Sequence, residues 1–166
     1  MEKTSVAILA GGCFWGVEEL LRKLPGVINT TVGYTGGELK DPIYAEVKKG
    51  DTGHAEAVKI VFDSSILSYE ELLKFFFKIH NPTTKNRQGN DIGEQYRSVI
   101  FYMDDEQQRI ALLVKDLVNR SGKWQVPVVT EILPAGKFWD AEEYHQKYLV
   151  KNPNGYTCHY VRDMDF

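Results

Sequence analysis

Apolar positions along this chain recur with two periods, and the switches between them mark the elements. SVAILA (5–10) is a short continuous apolar run and predicts a buried strand. From Phe14 onward, Val17, Leu20, Leu21 and Leu24 recur at helical spacing until Pro25-Gly26 ends the pattern. VINTTVGY (27–34) and AEAVKIVFD (55–63) alternate as strands do. Ser68-Tyr69-Glu70-Glu71 has the form of a capping box and predicts a helix to about His80. RSVIFYM (97–103) predicts a strand, and Asp104 or Asp105 starts a helix that runs to about Ser121 before Gly122. VVTEIL (128–133) predicts a strand and DAEEYHQKYLVK (140–151) a helix. Two long polar loops remain. Residues 35–53 hold one expected helical turn near Tyr44–Lys48, and residues 81–96 hold none. The tail, NPNGYTCHYVRDMDF, lacks either period and is expected to be irregular. No internal repeat is visible.

The first six long elements run strand, helix, strand, strand, helix, strand. That order predicts an α+β protein with a ferredoxin-like split β-α-β core, a two-layer sandwich with helices on one face of the sheet. The later helices and strand extend it, and the irregular C-terminal tail follows. A doubly wound sheet is the alternative, but the direct strand-to-strand step across residues 35–53 opposes it.

Composition narrows the function classes. A length of 166 residues fits one domain, taken as 1–166, and 43% hydrophobic residues suffice for a core. The net charge of −3, with scattered basic residues, opposes nucleic-acid and anionic-membrane partners. The run Val6–Ala10 is too short for a signal-peptide core or a membrane span. AGGC has the form of a lipid-attachment site, but Phe14, Trp15 and a helical pattern follow it rather than a polar tether. A cytoplasmic protein with reduced thiols is expected, and nothing suggests more than a monomer. Two cysteines and scattered histidines have no zinc spacing, so no metal is expected, and no cofactor.

The candidate chemistry begins at AGGCFWGVEE (10–19). Cys13 falls at a strand-to-helix junction, where free N–H groups and the helix dipole favour a thiolate. Gly11 and Gly12 allow a sharp bend and close approach of a substrate. A nucleophile and a small core residue are both consistent with Cys13 alone. Trp15 shares its helix face with Glu18, Glu19 and Arg22 and either walls an apolar ligand pocket or lies under a loop. On the third strand Glu56 faces with Val58, Ile60 and Phe62, so its carboxyl should resist ionisation and serve as a proton donor near neutral pH. The other reading is a strand-end Glu tilted to water. His54 is expected to hydrogen-bond locally. Tyr44, Asp91 and Tyr96 are candidate polar groups in the two long loops.

GCFWG (12–16), DTGHAE (51–56), RQGNDIGEQYRS (87–98) and NPNGYTCH (152–159), in this order, resemble the peptide methionine sulfoxide reductase A family over nearly the whole chain. The resemblance implies reduction of methionine S-sulfoxide, free or in proteins, to methionine, and hence a role in repair of oxidative damage. It matches the catalytic cysteine to Cys13, the acid to Glu56 and the methyl pocket to Phe14 and Trp15. The site tyrosines match Tyr44 and Tyr96, and the loop aspartate matches Asp91.

The resemblance also implies a sulfenic acid on Cys13. Cys158 is then expected to form a disulfide with Cys13, and thioredoxin to reduce it. Some relatives carry two recycling cysteines near the C-terminus; this chain has Cys158 alone there. An incidental thiol and a weak metal site with His159 are the other readings of Cys158. A thiol peroxidase and a non-catalytic module that binds oxidised methionine are the alternative functions.

Overall fold

The computed structural model describes residues 3–166. The first strand, β1 (Thr4–Gly11), leads into helix α1 (Phe14–Leu21), then β2 (Val27–Thr35), a single turn α2 (Tyr44–Val47) and β3 (Ala55–Asp63). Helix α3 (Tyr69–Ile79) follows, then two two-residue strands, β4 (Arg87–Gln88) and β5 (Asp91–Ile92). Next come β6 (Ser98–Tyr102), α4 (Asp105–Arg120), β7 (Glu131–Pro134), β8 (Phe138–Asp140) and α5 (Tyr148–Lys151).

The main sheet has the order β7-β6-β1-β3-β2-β8. Its four central strands, β6-β1-β3-β2, are antiparallel throughout, with β1 running alongside β3 from Thr4↔Asp63 to Leu9↔Val58. This is the split β-α-β arrangement expected of the element order, and the α+β class holds. The long alternating strands fix that register, because a one-residue slip would turn the core face to solvent. β7 joins the outer edge parallel to β6.

Ala7, Leu9, Val32, Tyr34, Val58, Ile60, Phe62 and Ile100 pack one face of the sheet against α1, α3 and α4. Phe76 and Phe77 of α3 are fully buried there, each contributing about 2 kcal/mol by removal from water. Ile8, Ala10, Ala57, Val99 and Phe101 form a smaller cluster on the opposite face with Leu133 and Phe138. The caps follow the sequence. Ser68 Oγ accepts the Glu71 N–H at 3.0 Å, and Asp104 Oδ1 accepts that of Gln107 at 2.8 Å.

The structure departs from expectation after residue 127. Val128–Thr130 lie outside the strand, which begins at Glu131. The helix expected over 140–151 is instead the edge strand β8, a 3-10 turn at Glu143–His145 and the short α5. Lys147 sits at φ 53°, in the left-handed region, and no helix continues through it.

Candidate active site

Cys13 occupies the N-cap position of α1, and its thiol is buried with 8% of its surface exposed. β1 delivers the loop from below. Gly12 takes φ 105°, a conformation that favours glycine, and so turns the chain into the helix. The next peptide meets β3: Phe14 N–H donates to Glu56 Oε1 at 3.2 Å. Glu56 is 2% exposed and lies opposite Tyr34 on β2. Burial raises its pKa from the ordinary 4.5 to about 8; the Phe14 N–H opposes that rise and the Asp91 charge adds to it. The expectation of a carboxyl on the apolar face that resists ionisation holds.

The thiol behaves otherwise than its place at the helix end suggests. Burial pushes the Cys13 thiol well above its ordinary value, and a charge on Glu56 pushes it further. The Trp15 N–H is the one favourable contact, and it loses to burial. The expected thiolate is therefore a thiol at rest. Since each negative charge opposes the other, the site holds protons on both groups near neutral pH.

The loop residues converge here. Burial and the Glu56 charge push the Tyr44 hydroxyl up to about 12 and push Tyr96 up as well, so both remain O–H donors. The charges of Cys13 and Asp91 push both hydroxyls the same way. His54 is a local group, as expected: its Nδ1 accepts the Gly37 N–H at 3.1 Å and its Nε2 donates to Leu39 O at 2.7 Å.

Phe14 is buried, and Trp15 is partly buried with its indole stacked on Tyr148 at 3.8 Å between centroids. The sequence did not single out the residue that organises these rings, His145. Its ring lies within 4.1–5.7 Å of those of Phe14, Trp15, Tyr44 and Tyr144. Trp15 Nε1 donates to His145 Nδ1 at 2.9 Å, which leaves the proton of the neutral ring on Nε2. That Nε2 is buried and has no hydrogen-bond partner among the described residues. Burial lowers the His145 pKa, so the ring is neutral near pH 7. Glu142 completes the frame by accepting the Tyr34 hydroxyl at 2.8 Å and the Tyr44 N–H at 2.9 Å. The density of aromatic and acidic residues in FWDAEEYHQKY was the signal available for this cluster.

Glu18 corrects the reading of a polar outer helix face. It is 1% exposed and accepts Thr30 Oγ1 at 2.7 Å, the Lys147 N–H at 2.8 Å and Lys147 Nζ at 3.1 Å. Lys147 stands between His145 and Tyr148, so this ion pair fastens to α1 the segment that holds Trp15.

Cys158 lies in the tail with its thiol partly exposed and unbonded to Cys13. Its Sγ is 3.8 Å from Gln88 O, 3.8 Å from His159 Nδ1 and 3.9 Å from Asp91 Oδ2. Asp91 also accepts from the Tyr156 hydroxyl at 3.4 Å. A buried acid beside a buried thiol, two hydroxyl donors, an aromatic wall and a second thiol thus meet at one end of the sheet.

The model of the family described as peptide methionine sulfoxide reductase matches residues 5–165. The chain belongs to that family. The peptide methionine sulfoxide reductase MsrA of Mycolicibacterium paratuberculosis is 57% identical over 162 residues, 98% of this chain and 92% of that protein. The crystal structure of Mxr1 from Saccharomyces cerevisiae in reduced form superposes with a TM-score of 0.92 at 40% identity, covering 97% of this chain and 93% of that one. Mxr1 in complex with Trx2 superposes with a TM-score of 0.67 at 29% identity, covering 97% and 91%. As a peptide methionine sulfoxide reductase, the chain is an enzyme whose reaction is thiol-dependent reduction of methionine sulfoxide.

Proposed function

We propose that one domain carries the whole reduction of methionine S-sulfoxide, free or protein-bound, with Cys13 as nucleophile, Glu56 as acid and Cys158 as resolving thiol. The observation that carries this reading is the buried Glu56 carboxyl, protonated up to about pH 8 and bonded to the peptide that follows Cys13. A sulfoxide oxygen leaves poorly and its sulfur is a weak electrophile, and one proton on the oxygen corrects both faults.

Substrate enters with its methyl group against Phe14 and Trp15 and its oxygen toward Tyr44, Tyr96 and Glu56. Asp91 borders the same chamber. Glu56 protonates the oxygen as the Cys13 sulfur bonds to the sulfoxide sulfur, and the thiol's proton returns to the carboxylate. The oxygen passes to Cys13 as hydroxyl, the bond between the two sulfurs breaks, and methionine leaves. The methionine sulfur is reduced by two electrons and Cys13 becomes a sulfenic acid.

Cys158 then attacks Cys13. The sulfur–sulfur bond forms, the sulfur–oxygen bond breaks, and hydroxyl departs with the Cys158 proton as water. A thioredoxin reduces the disulfide by exchange. The complex of the yeast relative with Trx2 supports that partner. Repair of oxidised methionine by a monomer in the cytoplasm, without metal or cofactor, completes the reading. Among the described residues no helix is long and apolar enough to cross a membrane.

The deciding experiment supplies separated S and R epimers of a methionine sulfoxide peptide with thioredoxin and its reductase. Consumption of S alone is expected. Consumption of neither by folded protein overturns the reading.

A further inference from the structure

The tail that carries Cys158 is anchored by the next residue. His159 is 7% exposed, and its Nε2 donates to Gly11 O at 2.7 Å, two residues before Cys13. A carbonyl only accepts, so the proton is on Nε2 and Nδ1 carries the lone pair. That Nδ1 faces Cys158 Sγ at 3.8 Å. Burial lowers the His159 pKa to about 4, so the anchor stays neutral, with its donor in place, through the physiological range.

The seat of this ring is made of glycines. A methyl group at Gly16 would collide with His159 Nδ1 and with Thr157 Oγ1. One at Gly12 would come within 3.0 Å of His159 Nε2 and closer still to the Gln88 side chain. Gly12 and Gly16, which bracket Cys13-Phe14-Trp15, therefore leave room for the tail; substrate approach was the expectation for Gly11 and Gly12. Thr157 Oγ1 accepts the His159 N–H at 3.1 Å and shapes the turn that presents Cys158. Cys158 Sγ in turn rests 3.4 Å from where a side chain on Gly89 would begin.

We propose that His159 is the positioning residue of the resolving step: its imidazole, seated between Gly12 and Gly16 and bonded to the Gly11 carbonyl, ties Cys158 to the loop of Cys13. The reaction it serves is condensation of the Cys13 sulfenic acid with the Cys158 thiol. The sulfur–sulfur bond forms, the sulfur–oxygen bond breaks, and water carries away the hydroxyl and the thiol proton. No outside oxidant or reductant enters. His159 acts through Cys158. This inference rests on the reading of Cys158 as resolving thiol.

The test compares His159→Ala with His159→Gln, whose amide can still reach the Gly11 carbonyl. Each reduced protein receives one pulse of methionine S-sulfoxide. Methionine is quantified, free thiols are counted over time, and sulfenic acid is trapped with a carbon nucleophile such as dimedone. His159→Ala is expected to release one methionine per enzyme at the parent rate, which also reports a folded site, and to form the disulfide at least tenfold more slowly while trapped sulfenic acid accumulates. His159→Gln is expected to recover most of the rate. Parent-rate disulfide formation in His159→Ala, equal slowing in both variants, or loss of the first methionine in both overturns the proposal. Cys158→Ser separates the two levels of the argument. If it turns over steadily with thioredoxin, the resolving role itself fails; if it stalls while His159→Ala does not, the positioning role alone fails.

Discussion

Glu56 accepts the N–H of Phe14 at 3.2 Å, and through that one peptide a buried acid on β3 is joined to the helix that Cys13 caps. Glutamine in its place retains the acceptor and loses the proton. Glu56→Gln is expected to slow the first methionine release by about a hundredfold or more, the usual share of a positioned general acid. In the parent enzyme the same step should fall as pH rises through about 8, where the carboxyl loses its proton. Rapid-quench measurement of methionine across pH 6–10 checks both, and a flat profile in the parent would remove Glu56 as the donor.

The same carboxyl should make the fold sensitive to pH. The unfolded chain releases this proton near 4.5 and the folded chain near 8. Between those values folding must hold a proton that the unfolded state has given up. The Glu56 contribution therefore weakens as pH rises, by up to about 1.4 kcal/mol per unit, and levels off above 8. Glu56→Gln is expected to be more stable than the parent at pH 8 and nearly equal at pH 4.5. Denaturant midpoints at the two pH values test this.

His145 holds the Trp15 indole by accepting its N–H, and under the proposed reading that indole walls the methyl pocket. His145→Ala strands the indole N–H and opens space beneath four rings. KM for the sulfoxide is expected to rise about tenfold, equivalent to ~1.4 kcal/mol, with a smaller change in kcat. A changed kcat at constant KM would show that the ring acts on the chemistry and not on the pocket.

Lys147 forms the ion pair of the buried Glu18, alongside the Thr30 hydroxyl and a backbone N–H. Lys147→Met leaves that carboxylate buried without a counter-charge and is expected to cost roughly 3 kcal/mol of stability. Lys147→Arg should recover part of it. Urea unfolding monitored by tryptophan fluorescence reads the difference, since the same segment stacks Tyr148 on Trp15.

Thioredoxin-driven turnover should depend on Cys158. Cys158→Ser is expected to release one methionine per enzyme and stop, and a small dithiol should restart it. Continued turnover with thioredoxin alone would assign the resolving role elsewhere.

The four long strands and the main helices were legible because each buries one face, and burial imposes its period on the residues. Glu56 was legible for the same reason: it shares a face with Val58, Ile60 and Phe62. Glu18 was misplaced by the helical wheel, and Trp15 was left between two readings, because their partners, Lys147 and His145, lie far along the chain. β8 is three residues long and exists by pairing with β2, so its own sequence carries little signal. In EEYHQKY the helical appearance is broken by Lys147, a backbone choice that no side-chain pattern reveals. The Cys13 thiol was misjudged because a helix end speaks for ionisation locally, whereas burial and Glu56 are properties of the assembled chamber.

The anchor between His159 and Gly11 has a consequence for the enzyme's lifetime. A sulfenic acid left waiting can meet a further oxidant and pass to the sulfinic state, from which thiols do not recover it. A thiol on a free tail would compete with that oxidant only at the modest effective concentration that a loose tether provides. Under the proposed resolving role, Cys158 held to the Cys13 loop by this anchor would compete at a much higher local concentration. The anchor would then be a safeguard against self-inactivation, and its value should grow with the oxidant load under which methionine repair is needed.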